Sequence, residues 1–385
     1  MHILHVVGAR PNFMKVSPVM AALSRRRGVA QTLVHTGQHY DADMSDIFFR
    51  QLQMPVPDVN LEVGSGTHAV QTGSIMARLE PVITERKPDL VLVYGDVNST
   101  VAAALVCSKL LVPIGHVEAG LRSFDRTMPE EINRKLTDQV CDFLFTPSAD
   151  GDENLLREGI PTERIHRVGN VMIDTLVRLL PTASAAAIRQ KLGLATDGGS
   201  RQGSDAQGEG ESSESESARG FGLVTLHRPS NVDDPAMLPE IMRALEDIAE
   251  GIPLLFPVHP RTQGSIQAMG LQGPGSGLRL LEPLGYVEFL SLERSARLVI
   301  TDSGGIQEES TYLGVPCLTV RENTERPVTV TVGTNTLVGR DMDKLRREAR
   351  AILEGHPKRG QLPPLWDGKA AERTADVIAE KLAGN

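Results

Sequence analysis

The sequence predicts an α/β protein in which two doubly wound domains face each other across a cleft. Short apolar runs alternate with amphipathic stretches through most of the chain, which is typical of βαβ units with a buried parallel sheet. The chain has 385 residues, too many for one ordinary core. One series of strands ends near Val168 and a second begins near Phe221. In such folds, ligands bind where the strand ends meet the cleft.

The predicted strands are short, mostly aliphatic runs, and amphipathic stretches such as residues 14–26 and 233–250 separate them as helices. In chain order, the strand runs are residues 2–7, 31–35, 90–95, 113–117, 142–146, 222–227, 253–259, 278–281, 297–301 and 316–320.

The sequence predicts two domains, and only the second contains a long polar segment. The first comprises residues 1–168, and a C-terminal helix within residues 367–385 is expected to pack back on it. The second comprises residues 169–366. Residues 195–220 interrupt it with six acidic residues, two arginines and no aliphatic side chain larger than alanine. Because this segment cannot bury enough apolar surface to offset its ordering entropy, the sequence predicts a disordered surface insertion.

The amino-acid composition argues against some classes of binding partner. The net charge is -9, aromatic residues are 4%, and there is one tryptophan, which argue against nucleic acid or a membrane surface as the partner. Three cysteines, far apart and without CxxC spacing, are expected to be buried free thiols in a reducing compartment. Because we find neither a signal peptide nor an apolar run of about 20 residues, we expect a cytoplasmic protein. Metal-ligand spacing is also missing from the sequence.

The end of the first predicted strand, in VVGARPNFMK, carries two cations. Arg10 and Lys15 lie at or near a helix start, where the helix dipole disfavours each positive charge by about 0.3–1 kcal/mol. We interpret them as ligands of an anion. Asp96, in VYGDVNST, lies just past another strand, and this stretch alone leaves helix capping and catalysis equally open.

A third strand ends in GHVEAGLRS, where Glu118 leaves an apolar run. Either Arg122 neutralises this carboxylate, or its surroundings raise its pKa for proton transfer. Further on, MPEEINR begins a helix on which Glu130 and Arg134 share a face as an i,i+4 pair. Asp96, Glu118 and Glu130 could in principle gather a divalent ion, but the sequence does not favour this.

In the second predicted domain, TDSGGIQEE at residues 301–309 follows a strand. Ser303, Gly304 and Gly305 open a helix, so that backbone N–H groups and the helix dipole form an anion site that a diphosphate can approach closely. Glu309 lies about 6–9 Å along the axis, where a ribose would follow the phosphates. The patterns GxxxxGK[ST] and GxGxxG do not occur. Within LHRPSN, His227 is the histidine that the sequence favours as an acid or base.

Taken together, the motifs resemble one known family. In order, the chain carries GARPNFMK, TGQHYD, YGDVNST, HVEAGLRS, MPEEINR, GNVMID, LHRPSNVD, PVHP, TDSGGIQEE, TERP and GTNTLVG. This series resembles the non-hydrolysing UDP-N-acetylglucosamine 2-epimerases of bacteria and archaea over nearly the whole chain. The resemblance implies a glycosyltransferase-B-like fold of two Rossmann-like domains. It also implies interconversion of UDP-GlcNAc and UDP-ManNAc through elimination of UDP to 2-acetamidoglucal and its re-addition, without a metal or other cofactor, in polysaccharide biosynthesis.

The resemblance also implies roles for individual residues. It makes Asp96, Glu118, Glu130 and His227 the acid–base set, and leaves open which of them takes the C2 proton. A homodimer with a second, allosteric UDP-GlcNAc site is implied as well, at Gln38, His39 and Gln71. The residues implied to hold the UDP-sugar substrate are Arg10, Lys15, Arg134, Arg228, Ser303, Gly304, Gly305, Glu309 and Arg326.

Three stretches depart from the commoner family pattern: HRPSN lacks a second arginine, GDV has Val97, and TERPV has Val328. These changes affect side chains expected around the substrate and leave the acid–base set intact. Two rival enzymes remain: a hydrolysing relative that releases ManNAc and UDP, and a retaining glycosyltransferase of the same fold. A non-catalytic nucleotide-sugar sensor is a third alternative, which the carboxylates and His227 disfavour.

Overall fold

A computed structural model describes residues 1–37, 52, 54–184, 188, 190, 192, 220–270 and 277–383. The chain divides into two compact units, which we call unit 1 (Met1–Arg178 with Pro363–Asn385) and unit 2 (Leu179–Leu362). Gln38, His39 and residues 195–219 of the predicted insertion lie outside the described residues.

Each unit is built on one parallel sheet. The strands of unit 1 are β1 (His2–Val7), β2 (Ala30–His35), β3 (Val59–Asn60), β4 (Leu90–Tyr94), β5 (Ile114–Val117), β6 (Phe143–Thr146) and β7 (Ile165–Arg167). Those of unit 2 are β8 (Gly222–Thr225), β9 (Leu254–Pro257), β10 (Leu278–Leu281), β11 (Leu298–Thr301), β12 (Cys317–Thr319) and β13 (Asn335–Leu337). The spatial orders are β3-β2-β1-β4-β5-β6-β7 and β10-β9-β8-β11-β12-β13. All pairings between these strands are parallel, as the continuous apolar runs predict.

Helices connect most of the strands. In chain order they are α1 (Arg10–Ser24), α2 (His68–Arg86), α3 (Asn98–Leu110), α4 (Pro129–Val140), α5 (Ala149–Arg157), α6 (Val171–Leu179), α7 (Pro229–Val232), α8 (Met237–Ala249), α9 (Pro260–Ala268), α10 (Tyr286–Glu293), α11 (Gly304–Leu313), α12 (Pro327–Thr331), α13 (Met342–Leu353) and α14 (Ala370–Ala383). Within the described ranges, none of these helices is both long and apolar enough to cross a membrane.

The helices bury aliphatic stripes against the sheets. Helix α8 buries Met237, Leu238, Ile241, Leu245 and Ile248, which recur at the helical spacing and form one core with strands of unit 2. In unit 1, every residue of β4 is buried, as expected for a central strand covered on both faces. Each such buried Leu, Val or Ile side chain contributes about 1.5–3 kcal/mol to folding.

The boundary between the units falls ten residues later than the predicted one at 168/169. Helix α6 explains the difference, because its side chains form hydrogen bonds with other residues of unit 1. The Thr175 hydroxyl donates to the Met14 carbonyl at 2.6 Å. The Asp174 carboxylate accepts the backbone N–H groups of Ala370 and Ala371 at 3.1 and 2.7 Å, and so caps helix α14. This capping ties the C-terminal helix to unit 1.

Candidate active site

Each sheet reverses its strand order at one point, and the predicted site residues follow the strands that meet there. The order reverses between β1 and β4 in unit 1, and between β8 and β11 in unit 2. In doubly wound sheets the ligand crevice lies outside the carboxyl ends of the strands at such a point.

In unit 1, Asn12 ties the ends of β1 and β4 together. Its side-chain oxygen accepts the N–H groups of Gly8 and Ala9 at 3.0 Å each, and its amide donates to the Tyr94 carbonyl at 2.8 Å. Arg10 begins helix α1, with Pro11 in the first turn, where its missing N–H costs no helical hydrogen bond. Lys15 lies on the same helix, and its Nζ is close to the turn that follows β4, since a Cβ at Gly95 would lie 2.7 Å from it.

Lys15 and Glu118 form a buried ion pair, with 2.7 Å between Nζ and Oε2 and side chains only 6% and 3% exposed. The sequence allows Arg122 as the partner of Glu118, and this alternative is wrong. Arg122 pairs instead with Asp138 at 2.7 Å and with Glu158 at 2.6 Å. Glu118 has a left-handed backbone (φ 76°), which is costly for a residue other than glycine, and its N–H donates to a carbonyl of β6 at 3.1 Å.

Asp96 is held by Arg134. The Arg134 guanidinium donates to Oδ2 of Asp96 from Nε at 2.9 Å, and a second nitrogen lies 2.8 Å from the same oxygen. The sequence predicts Glu130 as the ion-pair partner of Arg134 on the helix. The ion pairs in the structure are instead with Asp96 and with the buried Glu131, 2.6 Å away. Glu130 and Glu131 both lie in the first turn of α4, and Glu130 is partly exposed.

Gln71 of the predicted second site lies in α2 and is buried. Its side-chain oxygen accepts from the Asn98 amide at 2.8 Å, and its own amide donates to the Gly64 carbonyl at 3.1 Å. Asn98 begins α3, next to Asp96 along the chain. Gln71 is therefore linked to the turn after β4 through one side chain.

In unit 2, Asp302 organises the ends of β8 and β11. Its buried carboxylate lies 2.9 Å from Nδ1 of His227 and accepts the N–H of Arg228 at 2.9 Å and the Asn231 amide at 3.0 Å. Burial alone would raise the pKa of Asp302, but these hydrogen bonds and the His227 ring hold it below its ordinary value. The His227 side chain is 52% exposed, so the ring is oriented and still accessible.

Helix α11 begins at Gly304, with Ser303 as its N-cap residue. A Cβ atom at Gly304 would lie 2.5 Å from a guanidinium nitrogen of Arg326 and 2.7 Å from a carboxylate oxygen of Glu325. The Arg326 side chain pairs with Glu308 at 2.7 Å and also with Glu325. Glycine at this position therefore lets arginine approach the helix N-terminus, where backbone N–H groups attract anions.

Three arginines gather near that helix start. Arg321 pairs with Glu325 at 2.6 Å, and Arg228 lies 4.0 Å from the same glutamate. Burial lowers the pKa of Arg228, and the positive charges of Arg321 and Arg326 lower it further. Arginines that carboxylates hold in place beside a helix N-terminus can offer their remaining N–H groups to an anion.

Glu309 lies further along α11 and is buried beside a second carboxyl group. The Tyr286 hydroxyl donates to Glu309 at 2.9 Å. Burial raises the pKa of Glu309 to about 7, in spite of the hydrogen bonds that it receives from Tyr286 and Glu293. Burial and the neighbouring Glu309 also raise the pKa of Glu293. Both carboxyl groups therefore stay protonated to a higher pH than an exposed glutamate does.

The two groups of residues are suited to different chemistry. Unit 1 presents carboxylates paired with Lys15 and Arg134, which can exchange a proton with a bound substrate. Unit 2 presents an oriented histidine, arginines and a helix N-terminus, which suit an anion. In the part of the chain that the structure describes, no three His, Cys, Asp or Glu side chains are grouped so as to hold a metal ion.

The sequence model of the UDP-N-acetylglucosamine 2-epimerase family matches residues 21–379. The chain belongs to this family. It is 40% identical to the UDP-N-acetylglucosamine 2-epimerase of Methanocaldococcus jannaschii, over 97% of both chains. It is 43% identical to the UDP-2,3-diacetamido-2,3-dideoxy-D-glucuronate 2-epimerase of Pseudomonas aeruginosa, over 99% of this chain and all of the relative.

Solved structures of this epimerase family have the same fold. The crystal structure of the Methanocaldococcus jannaschii epimerase in complex with UDP-GlcNAc and UDP superposes with a TM-score of 0.85 at 40% identity. The superposition covers 99% of this chain and 100% of that one. The predicted fold class, two Rossmann-like units of the glycosyltransferase-B-like type, is thereby confirmed.

Sequence reasoning missed four acidic residues of these groups: Glu131, Asp138, Glu293 and Asp302. For Asp302, the neighbouring sequence does indicate a role. It lies between a strand and the SGG turn, where a carboxylate can accept backbone N–H groups. The other three lie within helices, and their partners are distant in the chain or depend on which helix face is inward.

Proposed function

We propose that the protein is a non-hydrolysing UDP-N-acetylglucosamine 2-epimerase that interconverts UDP-GlcNAc and UDP-ManNAc. The observation that carries the proposal is the pairing of Lys15 with Glu118 and of Arg134 with Asp96 at the strand-order reversal of unit 1. An anion-binding helix start at the corresponding reversal of unit 2 supports it. So does the family, one member of which has been crystallised with UDP-GlcNAc and UDP.

The reaction begins with loss of UDP. A base takes the C2 proton, the C2–H electron pair forms the C1=C2 bond of 2-acetamidoglucal, and the C1–O bond breaks with its electrons leaving on UDP. In the return step a UDP oxygen attacks C1 and a proton is delivered to the opposite face of C2. Atoms and charge balance without an external oxidant, reductant or water.

The acid–base residues proposed for these steps are Asp96, Glu118, Glu130 and His227. The carboxylates of Asp96 and Glu118 are held by cations, so each has a fixed position from which it can accept a proton. Nδ1 of His227 faces Asp302, so Nε2 is the ring nitrogen proposed to exchange a proton.

The remaining residues are proposed to hold the substrate. Arg10, Lys15 and Arg134 would stabilise charge in unit 1. Ser303, Gly304 and Gly305 would bind the diphosphate through backbone N–H groups, because charge develops on UDP as the C1–O bond breaks. The other proposed ligands in unit 2 are Arg228, Arg326 and, for the ribose, Glu309.

The decisive experiment is incubation of the protein with UDP-GlcNAc in deuterated water, followed by proton NMR. We expect two UDP-sugar epimers, each with solvent deuterium at C2. Free ManNAc and UDP would instead identify the hydrolysing enzyme. Glycosyl transfer to an acceptor without epimerisation would identify a transferase. Asp96→Asn and Glu118→Gln variants should bind UDP and lose turnover, and normal turnover by both would contradict the acid–base assignment.

A second substrate has support from one comparison. The relative from Pseudomonas aeruginosa that acts on a 2,3-diacetamido glucuronate is 43% identical to this chain at full length. The elimination described above needs only an acidic C2–H and a UDP leaving group, which that sugar also has. If the protein is inert toward UDP-GlcNAc but incorporates deuterium into UDP-2,3-diacetamido-2,3-dideoxy-D-glucuronate, this second function is the correct one.

The proposal also covers the cellular compartment of the protein, its oligomeric state and its allosteric site. The three cysteines are buried free thiols, which suits a reducing, cytoplasmic compartment. A homodimer and an allosteric UDP-GlcNAc site involving Gln38, His39 and Gln71 are proposed on the resemblance of the motifs. Light scattering of the purified protein, and kinetics with a Gln71→Ala variant across UDP-GlcNAc concentrations, test these two points.

A further inference from the structure

Helix α4 carries a buried face that is polar instead of apolar. Glu131, Arg134, Thr137 and Asp138 recur at three- and four-residue intervals and are the buried residues of this helix. Burying charged groups is costly unless each finds partners, so such a face needs a reason other than packing. We call these four residues the polar face of α4.

The polar face contacts the turns that carry the proposed catalytic carboxylates. Arg134 holds Asp96, and Glu131 accepts the backbone N–H groups of Ser123 at 2.9 Å and Phe124 at 3.1 Å. Both contacts fix loops on the carboxyl side of β4 and β5. The remaining charged member, Asp138, lies one to two turns further along the helix and is fully buried.

Asp138 is connected to both turns, directly to the one at Gly120 and through the His116 ring to the one at Gly95. One oxygen lies 2.7 Å from Nδ1 of His116, whose Nε2 lies 2.8 Å from the carbonyl of Gly95, the residue before Asp96. The other oxygen accepts the N–H of Gly120, two residues after Glu118, at 3.2 Å. Both ring nitrogens of His116 thus lie within hydrogen-bonding distance of an oxygen atom, one on Asp138 and one on Gly95.

The two turns need such support. Gly95, Glu118 and Gly120 all have a positive φ, at 63°, 76° and 81°. Glycine adopts a positive φ at little cost, but for Glu118 the conformation is unfavourable and persists because the surrounding structure holds it in place. The fit around Gly120 is tight, because a Cβ there would lie 2.4 Å from the Gly151 carbonyl oxygen.

We propose that Asp138 is a positioning residue that fixes Asp96 and Glu118 relative to each other through His116, Gly95 and Gly120. This inference rests on the proposed function and adds to it a residue that does not touch the substrate. Burial would raise the pKa of Asp138, but its interactions with His116 and Arg122 hold it below its ordinary value, so the carboxylate remains a strong acceptor.

The chain offers a matched control for Asp138. Glu158 also pairs with Arg122, at 2.6 Å. The hydrogen bonds to the His116 ring and to the N–H of Gly120 are made by Asp138. Asp138→Asn and Glu158→Gln therefore each remove one carboxylate charge from Arg122. Only the first disturbs the two turns.

The experiment begins with wild-type kinetics on UDP-GlcNAc and the 2,3-diacetamido glucuronate. Inactivity toward both overturns the proposed function, and the present inference with it. With an active wild type, we expect Asp138→Asn to lower kcat by about 100-fold with little change in KM, because small displacements of reacting groups cost about that much. Glu158→Gln should keep the wild-type kcat. Equal kcat values for the two variants overturn the inference alone.

Two substitutions of His116 decide the matter independently, including the case in which Asp138→Asn does not fold. The amide nitrogen of glutamine can take the place of Nε2 and keep the bond to Gly95, whereas that of asparagine can take the place of Nδ1 and keep only the bond to Asp138. Each substitution interrupts the path from Asp138 to Gly95, so we expect both to lower kcat by about 100-fold with little change in KM. A kcat near the wild-type value in either variant, or a loss confined to KM, would overturn the inference.

Discussion

Asp302 holds His227 through both its ring and its backbone: the carboxylate lies 2.9 Å from Nδ1 and accepts the backbone N–H at 3.1 Å. The same carboxylate fixes the N–H of Arg228. One buried acid at the end of β11 thus sets the orientation of two proposed functional residues at the end of β8.

Replacing Asp302 with asparagine should therefore impair turnover. An amide cannot accept all of these hydrogen bonds, and it leaves the His227 ring free to rotate or change tautomer. We expect kcat to fall by about 100-fold or more, the usual size of a general acid–base contribution. Steady-state epimerisation kinetics measure it. Asp247→Asn, which removes an exposed carboxylate of the same unit, serves as the control. Wild-type kcat in Asp302→Asn would show that His227 needs no such orientation.

The Lys15–Glu118 pair should be a large stability element as well as part of the site. Lys15→Met leaves a buried carboxylate without its cation, and removing one partner of a buried pair typically costs about 3–5 kcal/mol of unfolding free energy. Urea denaturation measures the loss. The double variant Lys15→Met with Glu118→Gln should recover much of the stability but none of the activity.

A surface pair of the same type provides the comparison. Arg25 and Glu372 are 63% and 53% exposed, so Arg25→Met should cost less than about 1 kcal/mol. If Lys15→Met is no more destabilising than Arg25→Met, the Lys15–Glu118 pair is solvated and does not hold the site together.

The buried carboxyl pair predicts a dependence of stability on pH. Glu309 has a folded pKa of about 7, above its ordinary 4.5, and the pKa of Glu293 is also raised. Their contribution to stability is thus complete below about pH 4.5 and is lost as the pH rises through about 7. Tyr286 and Cys317, the other titratable groups near the pair, have raised pKa values too and stay neutral across this range.

Glu293→Gln should flatten this dependence. The glutamine amide can still donate to Glu309, but it cannot add a second negative charge at high pH. We expect a smaller fall in unfolding free energy between pH 5 and pH 8 than in the wild type, measured by urea denaturation at each pH. The exposed Glu246→Gln in the same unit should retain the wild-type slope. Parallel pH profiles for Glu293→Gln and the wild type would mean that the pair does not titrate in this window.

Gly304 tests the proposed diphosphate site. In Gly304→Ala, the new Cβ would lie 2.5 Å from Arg326, which must move away from the helix start. We expect about a tenfold weaker Kd for UDP by calorimetry, equivalent to about 1.4 kcal/mol. Gly264, in helix α9, has open space around the corresponding position, so Gly264→Ala should bind UDP as the wild type does. Unchanged affinity in Gly304→Ala would place the diphosphate elsewhere.

The sequence predicted the fold class and the strands that carry the site, because both depend on local patterns. Apolar runs of strand length identify buried parallel strands, and SGG or HR after such a run marks a strand end. Strands β3, β7 and β13 were not predicted, because their two or three residues (VN, IHR and NTL) include polar side chains and form no continuous apolar run. Strand β12 is equally short, but it lies within the apolar run at residues 316–320.

The partners of the charged residues could not be predicted in the same way. His227 and Asp302 are 75 residues apart, and His116 and Asp138 are 22 apart, so only the folded chain brings them together. On helix α4, sequence spacing made Glu130 the natural partner of Arg134. In the structure it is Glu131, one residue later, that faces inward. A hydrophobic pattern cannot distinguish Glu130 from Glu131, because the buried face of this helix is itself polar.

The polar face of α4 has a consequence for the mutational tolerance of this protein. Inward positions of most helices accept exchanges among aliphatic residues, and laboratory evolution commonly gains thermostability by refilling such positions. Here an aliphatic substitution at Glu131, Arg134 or Asp138 would remove the hydrogen-bond or ion-pair partner of polar groups in the neighbouring loops. Randomised libraries of this helix should consequently yield active clones with changes on its solvent side only, whereas an apolar core face would also accept exchanges among aliphatic residues.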